Sequence, residues 1–333
     1  MAKLSLDALM RYVFPRSGSP SARVIRGPGV GEDAATIMLP GGFLVMHVDP
    51  ITAARSNLGK LAIYISSNDI AVKGVRPQFS MVALLLTPEG GDGKVDAMMR
   101  DVDEAARRLG ISIVGGHTEF TDAVSSDVIV VTQVGFSERP PLDIESIKPG
   151  HVLVQIREAA MEGTFIMASD MPQILGELSE EDLREARSYL DRLSVVDVAL
   201  RAAEMGVVAM HDPTEGGVIG AAAEMGRGAR LMVRLHRDRV LVGALTKKIC
   251  AGVAIDPLKL LSSGTLLAAA DDELAEALTN EFPGESSIIG TFEEGEPGAL
   301  VVDGGHAEFH SEPPEDEIYH VWRKWASRRT SSV

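Results

Sequence analysis

Apolar and polar positions alternate along this chain in two rhythms, one of period two and one close to 3.6. Residues 34–39 (AATIML) and 43–48 (FLVMHV) read as short strands on either side of a PGG turn. The stretch SNLGKLAIYISSNDIAVKG follows, with Leu58, Leu61 and Ile65 at helical spacing, Ser56 as the N-cap and Gly74 as the stop. Residues 78–86 form an apolar strand, and residues 93–109 an amphipathic helix with Val95, Met98, Met99, Val102, Ala106 and Leu109 inward. Strands follow at 111–114 (ISIV) and 127–136 (DVIVVTQVGF). The proline- and turn-rich run ERPPLDIESIKPGHVLV marks a boundary, dividing the chain into domains 1–148 and 149–333. Beyond it a strand at 151–156 opens a second α+β unit. Helices are expected at 162–170, 179–191, 194–205, 216–226 and 272–280, and strands at 229–236, 265–270, 287–292 and 299–302. MAKLSLDALMRYVF at the start reads as an amphipathic helix, and the tail as an extended piece followed by a short helix.

Composition narrows the function. The chain has 333 residues, 45% of them hydrophobic, enough to build two cores. With 32 basic and 48 acidic residues the net charge is −16, which disfavours nucleic acid and anionic membranes as partners. Such a surface accepts a polyanion only where a divalent metal lies between. The single cysteine, Cys250, excludes an internal disulfide. No secretory leader or bilayer-length apolar run is present, so a cytoplasmic location is expected.

Several residues are chemically costly where the pattern puts them. Asp69 continues the stripe Leu58, Leu61, Ile65 and falls on the face that should be buried; the alternative is a fraying helix end, or a pair with Lys73. Asp33 follows a glycine-rich turn, and Asp49 ends the strand FLVMHVD. Each alone is ordinary turn punctuation. If the three carboxylates converged within about 4 Å, each pair would repel by roughly 4 kcal/mol at an effective dielectric near 20, and a cation would be needed. Oxygen ligands of this kind suit Mg²⁺ carrying a polyphosphate. GVGEDA satisfies G-x-G-x-x-A, but a strand rather than a helix follows, so it is no dinucleotide loop.

Two later loops carry further candidates. In GGHTEFTD, Gly115 and Gly116 permit close backbone approach and present His117, Thr118 and Glu119; no histidines pair at zinc spacing, and such a histidine is more often a hydrogen-bonding loop residue. In HDPTEGGV, Thr214 is an N-cap candidate, and Gly216–Gly217 open a helix whose amides could hold an anion beside His211, Asp212 and Glu215; the alternative is an ordinary capped helix. Ser262-Ser263-Gly264 precedes a strand in the same manner.

Taken in order, GVGEDAA, HVDPIT, SSNDIAVKGVRP, IVGGHTEFT, IKPGHVLV, MEGTFIMASD, HDPTEGGV and DPLKLLSSGTLL resemble the aminoimidazole ribonucleotide (AIR) synthase-like ATP-binding superfamily. The resemblance spans nearly the whole chain and is nearest to the HypE-like hydrogenase expression/formation (maturation) branch. It implies a two-domain α+β fold, an N-terminal domain that builds a β-barrel with a second subunit, and a C-terminal α/β sandwich domain. It implies a homodimer that binds ATP and Mg²⁺ and transfers a phosphoryl group to an amide, carboxyl or phosphate-bearing small-molecule substrate, or drives its dehydration or cyclisation. It also implies Asp33, Asp49 and Asp69 as metal ligands. Nucleotide contacts would come from Gly29, Gly31, Asp49, Asn68, Asp69, Lys73, Gly115, Gly116, Thr118, Glu119, Gly216 and Gly217. Asp212, Glu215 and His117 would serve the chemistry, although relatives carry an acid at position 117. The alternatives are a non-catalytic nucleotide-binding factor acting on a maturation-partner protein, as for hydrogenase, or a thiamine-monophosphate-kinase-like enzyme. The hydrogenase branch modifies a C-terminal cysteine, whereas this sequence ends RRTSSV, so that reaction is not expected in its usual form.

Overall fold

The period-two stretches of the first half pair into one sheet. In the structure, a computed structural model, residues 6–16, 19–176 and 178–330 are described. The chain opens with α1 (Leu6–Ala8), continued by a π-helical turn over Leu9–Val13. The expected opening helix is thus a short one, and its first five residues lie outside the described set. Then come β1 (Val24–Arg26), β2 (Ala35–Leu39), β3 (Gly42–Ile51), α2 (Leu58–Ala71), β4 (Pro77–Leu86), α3 (Gly91–Leu109), β5 (Ser112–Phe120) and β6 (Val128–Ser137). The sheet order is β1-β2-β3-β6-β4-β5, and of these neighbours only β4 and β5 are parallel.

Two local expectations are corrected here. The strand expected to end at Val114 runs through the glycines to Phe120, because β4 holds it in register, Met81 beside Gly115 and Leu86 beside Phe120. A Cβ on Gly116 would run into the Val82 carbonyl, so strand pairing by itself requires glycine there. Helix α2 starts at Asn57, in the left-handed region with φ 55°, and Ser56 does not cap it.

The second half contains β7 (Val152–Ile156), α4 (Met161–Asp170), α5 (Glu180–Ser188), α6 (Val196–Met205), β8 (Ala209–His211), α7 (Gly217–Ala229), β9 (Met232–His236), α8 (Ala244–Val253), β10 (Leu266–Ala270), α9 (Asp272–Glu281), β11 (Ser286–Glu293), β12 (Gly298–Asp303), β13 (His306–His310) and α10 (Glu317–Thr330). Its sheet order is β13-β12-β9-β11-β7-β10-β8. Ser179 starts α5 with a reciprocal capping box to Asp182. Strand β9 begins at Met232 rather than 229, because α7 persists to Ala229. Strands β1 and β13 and helix α8 were not anticipated.

Helix α2 joins the two halves. Of its 14 residues, 13 are buried, so the apolar stripe understates its burial. It packs on α3, on β3 and β6, and on α6 of the second half. One buried apolar network runs from Leu61 and Leu84 to Phe165, Val196 and Leu266. The polar residues of α2 are satisfied locally: Ser66 Oγ and Ser67 Oγ donate to the carbonyls four residues back, Ala62 at 2.6 Å and Ile63 at 2.5 Å. Asn68 clamps the second half, donating from Nδ2 to Leu193 O at 2.9 Å and accepting the Val195 N–H at 2.8 Å. The opposite face of the first sheet is open in one chain, with Val48, Phe79, Met81 and Val114 exposed. The sheet is not closed into a barrel.

Candidate functional site

Four segments deliver carboxylates to one cavity of about 630 Å³ between the halves. The loop carrying Asp33 is pressed onto α7: Gly31 has φ 71°, and a Cβ there would stand 2.8 Å from Glu224 O. Only glycine allows that approach without strain. On β3 the alternation places Val45, His47, Asp49 and Ile51 on one face, turned toward α2. Asp69 lies on the last turn of α2 and is 8% exposed. Asp212 follows β8, which pairs with β10 through His211 and Leu267.

The electrostatics are those of crowded like charges. Burial raises the Asp69 carboxyl well above the usual range, and Asp212, Asp49 and Asp33 raise it further. Asp212, 1% exposed, is pushed up to about 7 by burial and then by Asp33. Among the described residues, neither Asp212 oxygen has a hydrogen-bond partner from another side chain or backbone. Ligand atoms of Asp33, His211 and Asp212 lie within 4.8 Å of one another.

Two histidines organise the rim of this group. Burial lowers the pKa of His211, but Asp33 and Glu224 outweigh it and bring the imidazole up to about 9. Its Nε2 hydrogen-bonds Glu224 Oε2 at 3.0 Å, and its Nδ1 faces Asp33 Oδ1 at 3.0 Å, off the line of a hydrogen bond. Burial lowers the pKa of His47 below its ordinary value. Its Nδ1 donates to the Asp33 carbonyl, and its Nε2 faces Asp69 Oδ2 at 3.4 Å.

Of the sequence candidates, Gly29, Gly31, Asp33, Asp49, Asp69, Asp212 and Glu215 line the cavity together. Lys73 does not pair with Asp69; it is buried against Glu32, with Nζ 3.0 Å from Oε2. Asn68 spends its amide on the clamp to Leu193 and Val195. Gly216 and Gly217 stand behind the wall: the Gly216 N–H is taken by Asp316 Oδ2 at 2.8 Å, and a Cβ on Gly217 would lie 2.5 Å from Leu258 O. Gly216, in the left-handed region, is the N-cap of α7 rather than Thr214, and the Gly216 and Gly217 amides are already taken, by Asp316 and by the Thr214 carbonyl. Gly115, Gly116, His117, Thr118 and Glu119 lie on the exposed edge strand β5, outside the cavity of the single chain, and His117 pairs with Glu119 at 3.3 Å. Cys250 is buried on α8, its thiol pushed up to about 12 by burial.

Known proteins share this arrangement of domains. A family model for the N-terminal domain of AIR synthase related proteins matches residues 31–136, and one for their C-terminal domain matches residues 148–303. The chain belongs to the AIR synthase related proteins. Carbamoyl dehydratase HypE of Azotobacter vinelandii is 26% identical over 285 residues, covering 81% of this chain and 82% of that protein. The solved structure of hydrogenase maturation protein HypE in complex with ATP superposes with a TM-score of 0.71 at 18% identity, covering 94% of this chain and 93% of that one. ThiL complexed with AMPPCP and TMP superposes with a TM-score of 0.71 at 17% identity, covering 85% and 92%. At these identities the two superpositions establish the fold. The AIR synthase related architecture therefore accounts for the two sheets and the cavity between them.

Residues absent from the sequence-derived set include His47, Glu162, Glu224 and Asp316, all lining the cavity. A signal existed for His47, which shares the strand face of Asp49. Glu224 and Asp316 come from distant segments and had none.

Replacing Asp212 by asparagine tests the crowding directly. Because folding lifts this carboxyl from its ordinary 3.8 to about 7, its penalty starts to grow as pH rises past the first value, keeps growing up to the second and is complete at pH 8. Asp212→Asn should raise the metal-free stability by about 1–2 kcal/mol at pH 8 and much less at pH 5, measured by urea denaturation. An equal effect at both pH values would contradict the crowded-carboxylate description.

Proposed function

We propose that this AIR synthase related protein is an ATP-dependent enzyme that activates an oxygen of a small acceptor with Mg–ATP. The observation that carries the reading is that Asp33, Asp49, Asp69 and Asp212, from both halves, line one cavity, with Asp33 and Asp212 close enough to share an ion and the Asp212 oxygens unpartnered among the described residues. The donor set fits a hard divalent cation, since it offers carboxylate oxygens and no thiolate. These four aspartates would hold magnesium, which when bound neutralises triphosphate charge and makes the cleft favourable for a polyanion. His211, hydrogen-bonded to Glu224, lies against Asp33 as its charge partner. His47 holds the Asp33 segment through its backbone carbonyl and turns Nε2 toward Asp69. Thr214 and Glu215 face the acceptor from the second half. The name carbamoyl dehydratase on the Azotobacter relative supports loss of water from an amide-like acceptor.

The aspartate group predicts a strong dependence on each member. Asp69→Asn should weaken Mg–ATP binding by at least roughly tenfold in calorimetry and abolish phosphate release. Unchanged nucleotide affinity would remove the main support for this reading.

We also propose that a second copy covers the open face of the first sheet, where Val48, Phe79, Met81 and Val114 are exposed and β5 leaves a free edge. In such a pair His117 and Glu119 would lie at the interface. Sedimentation of the intact chain should give a dimer and Val114→Glu a monomer. A wild-type monomer at micromolar concentration would refute the pairing.

A further inference from the structure

The cavity wall contributed by the second half holds a separate polar group. Glu162, in the first turn of α4, is 4% exposed and lines the cavity. Its Oε2 has no hydrogen-bond partner among the described residues. Ser263, fully buried on the same wall, turns its hydroxyl toward Glu162 and favours the charged form of that carboxyl.

Both side chains are built into place rather than drifting there. Ser262 Oγ accepts the Ala160 N–H at 2.8 Å and donates to Leu260 O at 2.7 Å. Thr265 Oγ1 donates to Glu158 O at 2.7 Å. This strap steadies Ala160, in the left-handed region with φ 62°, from which α4 departs. Glu162 and Ser263 are thus carried by two segments locked to each other.

The surroundings of the pair are negative. Burial pushes Glu162 up to about 8; the Ser263 hydroxyl pulls it back, and Glu215, Asp316 and Asp49 add to the rise. Asp316 is already committed to the N–H groups of Gly216 and Ile318, each at 2.8 Å. Among the described residues lining the cavity, Arg227 is the one arginine or lysine, and its guanidinium donates to Ser311 O at 3.0 Å. An anion placed beside Glu162 would meet carboxylates without a counter-charge. A neutral amide would leave Glu162 in its protonated, uncharged form and gain no ion pair. A positively charged nitrogen group offers donors to Glu162 and relieves its burial cost at the same time.

We propose that this end of the cavity, built on Glu162 and Ser263, binds the acceptor through a cationic nitrogen group of amidinium, guanidinium or ammonium type. The identification of that ligand as the acceptor rests on the ATP-dependent reading above; the charge preference of the pocket does not.

Benzamidine, benzamide and benzoate share one shape and differ in charge, and their affinities for the full chain can be compared by calorimetry with and without Mg–AMPPCP. The expected order is benzamidine, then benzamide, then benzoate. Glu162→Gln should weaken benzamidine by roughly tenfold and leave benzamide nearly unchanged. Should that variant lack a cooperative melting transition, Ser263→Ala takes its place and should weaken benzamidine severalfold. Benzoate binding as tightly as benzamidine, or benzamidine affinity untouched by the folded variant, overturns the proposal. Mg–AMPPCP binding is read separately. If it fails while the charge order holds, the ATP-dependent reading falls and the cation pocket stands; if it succeeds with the order reversed, the pocket alone falls.

Discussion

Burying carboxylates side by side is unfavourable unless something positive joins them, and the rest of this structure is arranged around that constraint. Asp33, Asp49, Asp69 and Asp212 come from a loop, a strand, a helix and a strand end. Their proximity is held by helix α2, which is buried on nearly every side and fastened to the second half through Asn68. The hydrophobic network that runs through both halves supplies the free energy, and the acids draw on it. His211 partly offsets their repulsion without neutralising them all, which leaves a cleft poised for a divalent cation.

This arrangement also explains how a chain with net charge −16 could accept a triphosphate. The long-range field of the protein repels anions, so binding depends on a local reversal of sign by a metal. The same field favours a cationic acceptor at the Glu162 end, where no metal is needed. One cavity would then treat its two ligands by opposite means: metal-bridged at one end, directly ion-paired at the other. The close approach of Gly31 to α7 ties the Asp33 loop to the second half, because that loop cannot shift without disturbing Glu224 and His211.

Much of this was legible along the chain, and the reasons differ by residue. Asp69 could be read from periodicity, since it continues a buried stripe where a carboxylate is costly. Asp33 and Asp49 gained meaning only as a set. His47 could have been added, because alternation puts it on the face of Asp49. The strand continues through Gly115 and Gly116 because they allow a parallel neighbour to come close, a pairing across about 30 residues that the local pattern at 111–114 does not encode. The turn Gly304–Gly305 between β12 and β13 carried a hairpin signal that was passed over. Helix α8 starts without a side-chain cap and so announced nothing. Asp316 reaches Gly216 from 100 residues away, a contact that no local pattern encodes.

The central claim is that the four aspartates exist to hold a divalent cation with a triphosphate. Anomalous diffraction from crystals grown with Mn²⁺ and AMPPCP tests it most directly. Manganese between Asp33, Asp49, Asp69 and Asp212, bridged to the phosphates, is the expected result. Nucleotide and manganese bound elsewhere, with the four carboxylates facing only water, would contradict it.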